Sequence, residues 1–210
     1  MTVVTLSAPY GAGGSQVGPA VAERLVVPFV DRAIPTAVAE RLAVPLADAV
    51  ERDESVGSWL TRALLSFGQV GPVLAGATPV PGQVLTDDTF REATEQVLRQ
   101  HAAEGAVILG RAGAIVLKEH PGALHVRLTG PQEGRIAQGM LLEGVDRETA
   151  ARHVEETDRA RVAYVRHFYR CDARDAALYH LVIDSTAIPL SACADLIVEA
   201  AQARSELSGG

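Results

Sequence analysis

Ammonium charge is almost missing from this chain: Lys118 is its single lysine, so all but one of the 19 basic residues are arginine. Aromatic residues make up only 4% of the sequence, which leaves Val, Leu, Ile and Ala to build the interior. There are two cysteines, Cys171 and Cys193, far apart and without a CxxC pair. That excludes a disulfide scaffold and a structural zinc site, and it points to reduced thiols in the cytoplasm. No window approaches the ~18 uninterrupted apolar residues of a spanning helix. The first residues lack the basic region of a secretory signal. A cytoplasmic protein with no membrane partner is therefore expected. The formal charge of −7 argues against a general nucleic-acid binder, which would carry a basic face. The six histidines have no metal-ligand spacing, and no Ser–His–Asp arrangement follows from their order. His125 and His180, in or beside strands, read as satisfied structural groups.

What is present begins at the amino terminus. The β-branched run Val3, Val4, Leu6 stops at a small-residue loop, Ala8 to Ser15, and a helical pattern follows with Val17, Val21, Ala22 and Leu25. Strand, glycine-rich loop and helix make an anion cradle, in which backbone N–H groups and the positive end of a helix face a phosphate. Glycine density favours that use, because several N–H groups converge on an anion only where side chains are absent. Against GxGxxG, Gly11 and Gly13 match, but the third glycine falls at Gln16. Against GxxxxGK[ST], the window from Ala8 to Ser15 keeps the later glycine and the serine. It lacks the first glycine and places Gly14 where the lysine stands. Ser15 is the natural hydroxyl for a phosphate oxygen or Mg²⁺.

At 210 residues with 48% hydrophobic content, the chain suits one domain with a core of its own. Strands are expected at Val3 to Ser7, Val26 to Arg32, Ala106 to Leu109, Leu124 to Leu128 and His180 to Ser185. Helices are expected from Gly14, over Ala33–Leu42, Pro45–Arg52 and Val56–Phe67, where Trp59 packs, and from an Asp87-Asp88 cap through His101. Pro131 opens a further helix to Leu142, Asp146 caps a long one to Tyr169, and Leu190 to Gln202 closes the chain ahead of a fraying polar tail, Ser205 to Gly210. Residues 67–88 are rich in Gly and Pro and break the periodicity, reading as a loop excursion, a lid or a dimer arm. Strands alternating with helices mean a parallel sheet covered on both faces.

Two further groups carry charge toward the ligand end of such a sheet. The long helix holds Arg147, Arg152, Arg159, Arg161, Arg166 and Arg170. Arg152, Arg159 and Arg166 repeat every seven residues and share one face, with Glu155, Glu156 and Asp158 interleaved as pairing partners. These arginines form either a solvated, salt-bridged surface or the cationic component that a lysine-free loop requires. Polar residues also stand at strand ends, where ligands of open α/β sheets bind: Asp31-Arg32, Gly110-Arg111 and Asp184-Ser185-Thr186. Asp31 is a candidate for orienting Mg²⁺ through water, for binding a substrate hydroxyl, or for capping a helix.

Together these pieces resemble the nucleoside monophosphate kinases, and among them the cytidylate kinase-like family of P-loop proteins. The resemblance runs through Tyr10 to Gly18 with Ala22-Glu23-Arg24-Leu25, Val27 to Arg32, Val107 to Ala112, His125 to Leu128 with Arg135-Ile136, Asp158-Arg159-Ala160-Arg161 with Tyr164, and Tyr179 to Thr186. It implies an α/β three-layer P-loop NTPase fold, with five parallel strands in the order 2-3-1-4-5 and a helical lid. It implies a single domain over residues 1–210, with an acceptor-binding or insert region at 32–88 and a lid at 131–170. It further implies transfer of the ATP γ-phosphate to CMP or dCMP with Mg²⁺. The donor phosphates would lie against Gly11, Ala12, Gly13, Gly14, Ser15 and Gln16, with Ser15 on the metal. Asp31, Arg159 and Arg161 would be catalytic; Arg32, Arg111, Arg135 and Asp184 would bind the acceptor. The chain departs from the cytidylate kinase pattern at Gly14, where the lysine is absent, and at Ala112, where an aspartate often follows the arginine. Two other functions stay open: a regulatory module that binds a nucleotide or anion without turnover, and a small-metabolite kinase on the same scaffold. A homo-oligomer is compatible with all three.

Overall fold

The computed structural model describes residues 1–31, 87–110 and 112–208. The helices expected between residues 33 and 67, the Gly/Pro-rich stretch, Arg32 and Arg111 lie outside the described residues. Elements are numbered over the described residues. They are β1 (Val3–Ser7), α1 (Gly14–Leu25), β2 (Phe29–Val30), α2 (Asp87–Glu104), β3 (Ala106–Leu109), α3 (Gly113–Val116), β4 (Leu124–Thr129), α4 (Gln132–Glu143), α5 (Arg147–Tyr169), β5 (Leu181–Asp184) and α6 (Leu190–Ser208).

The five strands form one parallel sheet in the order β2-β3-β1-β4-β5, as expected. β1 lies at its centre, with Val4 beside Val107 on one side and Leu124 on the other. Side chains alternate across the sheet, and each face buries a different helix set. Val4, Leu6, Val107, Val126 and Leu128 pack with Val17 and Val21 of α1 and with Ala194, Ile197 and Ala201 of α6. Val3, Ala106 and Ile108 face Val97 and Leu98 of α2 and Leu117. The result is the three-layer α/β arrangement of P-loop kinases.

Several boundaries move for local reasons. β2 is only Phe29–Val30, because Val26 and Val27 close α1: the Val26 N–H donates to the Glu23 carbonyl and the Val27 N–H to the Ala22 carbonyl. This is the Schellman pattern, with Val26 taking the left-handed conformation that glycine usually fills. α3 is a four-residue helix that hydrophobic periodicity does not reveal. Pro131 stands at the N-cap of α4 rather than inside it. The tail expected to fray continues as helix to Ser208, since Arg204 Nε donates to the Ala123 carbonyl and Ser205 Oγ to the Ala201 carbonyl.

α4 and α5 pair through Ile136, Ala150 and Val154, with Tyr10 packed against the group. Asp146 caps α5, its carboxylate accepting from the Thr149 N–H at 2.7 Å. This helical pair therefore stands directly over the loop that follows β1.

Candidate functional site

The loop from Ala8 to Ser15 joins the central strand to α1. Gly11 and Gly13 both have left-handed backbones, with φ of 75° and 73°. Neither tolerates a side chain: a Cβ on Gly11 would lie 2.0 Å from the Arg135 carbonyl oxygen, and one on Gly13 would lie 2.6 Å from a Leu190 methyl. Gly14 is not left-handed, yet its Cβ would meet the Ala8 methyl at 2.6 Å.

Every loop carbonyl from Ala8 to Gly13 is engaged. The Arg161 guanidinium donates to the Ala8 carbonyl. Pro9 accepts from the Ala12 N–H at 3.1 Å. Arg135 Nη1 donates to the Tyr10 carbonyl at 3.0 Å, Gln138 Nε2 to Gly11 at 2.8 Å and Ser185 Oγ to Ala12 at 2.9 Å. The Gly13 carbonyl accepts from the N–H groups of Gln16 and Val17, which leaves the last loop peptide facing the helix axis. The N–H groups of Gly11, Gly13, Gly14 and Ser15, by contrast, have no acceptor among the described residues. A row of unused donors at a helix amino terminus, with left-handed glycines turning the backbone, is a cradle for an anion. Phosphate oxygens fit this donor set, and the side chain of Ser15 is exposed beside it.

Arg135 is 9% exposed and forms the centre of the contact between loop and helical pair. It pairs with Asp158 at 2.8 Å and also donates to the Gly130 carbonyl. The other Asp158 oxygen accepts from the Tyr10 N–H at 3.3 Å. Asp158 therefore reaches across to α4 and the loop and is not the same-helix partner that its place among arginines suggested. Tyr10 closes the contact from above, its hydroxyl donating to Glu143 at 2.6 Å with His153 Nδ1 at 3.2 Å. Burial and the adjoining Glu143 carboxylate push the Tyr10 phenol well above its ordinary range.

The remaining expected residues fall as follows. Gly11, Ala12, Gly13, Gly14, Ser15 and Gln16 form the loop and first helical turn, and Asp31 follows β2 at the carboxyl end of the strands. Arg159 and Arg161 lie on α5. Arg161 touches the loop, whereas Arg159 is exposed and makes no ion pair among the described residues. Asp184 ends β5, and its Oδ1 accepts from Thr186 N, Thr186 Oγ1 and Ala187 N, which holds its carboxyl below the usual range. Among the described residues no three His, Cys, Asp or Glu side chains gather as a metal site. Away from the loop, His125 is held as a structural group: Nδ1 meets Thr5 Oγ1 at 2.8 Å, its backbone N–H donates to His180 Nδ1 at 3.0 Å and its ring stacks on that of His180. Gln138, Tyr10 and Ser185 escaped sequence reasoning as loop-holding groups. A polar residue directly after a strand was the one available signal, and only Ser185 gave it.

The family model described as the cytidylate kinase-like family matches residues 3–187. The chain belongs to the cytidylate kinase-like family. Over 97 residues it is 33% identical to a cytidylate kinase of Methanopyrus kandleri, covering 42% of this chain and 50% of that protein. Over 147 residues it is 26% identical to a uronate isomerase of Corynebacterium glutamicum, covering 70% of this chain and 27% of that one. The chain thus spans between a quarter and a half of the length of these curated relatives. In structure it is similar to an uncharacterized protein from Eubacterium ventriosum (TM-score 0.65, 17% identity, 96% and 99% of the two chains). It is also similar to shikimate kinase from Bacteroides thetaiotaomicron (TM-score 0.50, 13% identity, 96% and 98%). At these identities the structural likenesses speak for the fold, which is that of P-loop kinases. Among the described residues no helix of this family member is long and apolar enough to cross a membrane.

Proposed function

We propose that this family member is a nucleoside monophosphate kinase that moves the γ-phosphate of ATP to CMP or dCMP. The observation that carries the reading is the loop itself: four N–H groups without acceptors among the described residues at a helix start, with the Arg161 guanidinium already seated on the loop where no lysine is available. ATP would supply the transferable phosphoryl group, and Mg²⁺ countercharge across its oxygens. The backbone of Gly11 to Ser15 binds the donor phosphates, and the Ser15 hydroxyl is the ligand offered to the metal.

Phosphoryl transfer asks mainly for positioning and charge stabilisation. In this reading the pair α4–α5 is the lid, residues 32–88 supply the acceptor side, and Arg159 and Arg161 neutralise the charge that spreads over the transferring group. Asp31, Arg32, Arg111 and Asp184 serve the acceptor or its approach, whereas Arg135, expected among them, is taken up by the Tyr10 and Gly130 carbonyls and Asp158 and acts from beneath the loop. An acceptor phosphate oxygen forms the new P–O bond while the bond to the β-bridging oxygen breaks, giving ADP and a nucleoside diphosphate. The acceptor phosphate is largely dianionic at neutral pH, with a second pKa near ~6, so no general base is needed.

Glycine at position 14 favours a second reading, a module that binds nucleotide without turnover. A coupled ADP-release assay with CMP, dCMP, UMP and AMP separates the two. Turnover with CMP or dCMP supports the kinase, turnover with none of the four alongside ATP-induced thermal stabilisation supports the module, and neither signal overturns both.

A further inference from the structure

A trans peptide is planar, with its C=O and N–H pointing in opposite directions. Fixing a carbonyl therefore aims the N–H of the next residue. Of the donors without acceptors, the Gly11 N–H belongs to the peptide whose carbonyl is Tyr10, and the Gly13 N–H to the peptide whose carbonyl is Ala12. The intervening peptide is fixed at both ends, by Gln138 on the Gly11 carbonyl and by Pro9 accepting from the Ala12 N–H; it contributes nothing to an anion. Arg135 grips the Tyr10 carbonyl at 3.0 Å and Ser185 the Ala12 carbonyl at 2.9 Å. Both side chains are buried, Ser185 being 1% exposed. Ala12 is completely buried as well, so water has no access with which to replace the hydroxyl. Ser185 also approaches the Thr129 carbonyl at 3.2 Å, and its own N–H donates to that carbonyl at 3.0 Å. Ser185 is thereby fixed by its backbone to the end of the β4–β5 ladder, with its single hydroxyl proton nearest the Ala12 carbonyl.

We propose that Ser185 and Arg135 are positioning residues that aim the Gly13 and Gly11 N–H groups at the bound polyphosphate. The inference rests on the phosphate-binding reading of the loop. It adds that the cradle is set by side chains below it which touch neither donor nor acceptor. Without the serine hydroxyl, the Ala12–Gly13 peptide loses its anchor and the flanking glycines permit it to rotate.

The test uses the full chain, with inorganic tripolyphosphate and Mg²⁺ followed by calorimetry, and ADP release with CMP as a second readout. All measurements are made well below each variant's own melting temperature. Ser185→Ala is expected to weaken tripolyphosphate binding about tenfold, the scale of one hydrogen bond to a charged group. It should raise KM for ATP more than it lowers kcat, and Ser185→Thr should restore binding. Arg135→Gln, on the neighbouring peptide, gives an independent loss and covers the case in which the serine variant does not fold. A purely structural serine would lower the melting temperature and leave the affinity of the folded variant unchanged, which overturns the inference while the kinase reading stands. Failure of the unmodified chain to bind tripolyphosphate at all overturns both.

Discussion

Replacing Gly14 with lysine, the residue that phosphate loops carry there, is expected to destabilise the protein unless Ala8 is changed with it. The Cβ of residue 14 would stand 2.6 Å from the Ala8 methyl and 3.1 Å from a Leu109 methyl. Carbon atoms rest at about 3.5–4.0 Å, so the overlap with Ala8 is about 1 Å, in a region where Gly14 itself is buried. Overpacking of this kind costs about 1–3 kcal/mol, set against about 0.5–1 kcal/mol regained by removing a glycine from an ordinary backbone conformation. The net loss for Gly14→Lys is about 1–2 kcal/mol, or about 2–8 °C in melting temperature for a chain of this size. Ala8→Gly alone gives up a packed methyl and adds backbone freedom, for about 1–2 kcal/mol. In the double variant the freed space accepts the new Cβ, so the two losses should fall short of their sum by about 1–3 kcal/mol. Chemical denaturation of the four proteins measures that coupling, and calorimetry with tripolyphosphate should show tighter binding in the double variant. Strict additivity, or a stable single Gly14→Lys variant, would refute the argument that Ala8 occupies the room a lysine stem needs.

Three further outcomes are expected. Arg161→Ala should lower kcat at least tenfold while changing ATP-analogue affinity much less, as steady-state kinetics against calorimetry would show; equal losses in both would deny a role confined to the transition state. His125, 3% exposed and stacked on His180 at 4.9 Å, is pushed down to about 4, chiefly by burial and also by the neighbouring His180 and Arg204. The unfolded chain takes up its proton first, so stability should be full above about pH 6.5 and fall toward pH 4 by as much as about 3 kcal/mol. Thermal melts across that window test the slope, which His125→Gln should flatten. Val26→Gly should raise the melting temperature by about 2–4 °C, because a branched residue with φ of 56° sits where glycine is unstrained; an unchanged or lower melting temperature would mean that the strain is negligible.

The five strands could be read from the chain, because buried apolar runs ending in small or polar residues and separated by helices mark a parallel sheet; their order came from the family resemblance, since apolar runs do not say which strands are neighbours. The loop was equally plain, since Gly11, Gly13 and Gly14 have no reason to cluster in a core. What escaped was whatever depends on three-dimensional meeting. Asp158 sits among arginines in sequence but meets Arg135 from another helix, and Gln138 looks like any exposed helix residue until Gly11 arrives beside it. α3 is too short to show a period, and Val26 ends a helix in a conformation that its side chain disfavours. Charge reasoning asked for a cation from elsewhere and offered the long helix's arginines as a group; the resemblance singled out Arg161, and only the structure shows its guanidinium on the Ala8 carbonyl.

Ser185 reaches a carbonyl 173 positions earlier in the chain. While the protein is being made, its first loop emerges early and waits, with one peptide still unanchored, until the last strand has been synthesised and docked. On the proposed reading, a product lacking β5 would hold an anion in this loop more weakly than the folded sheet does.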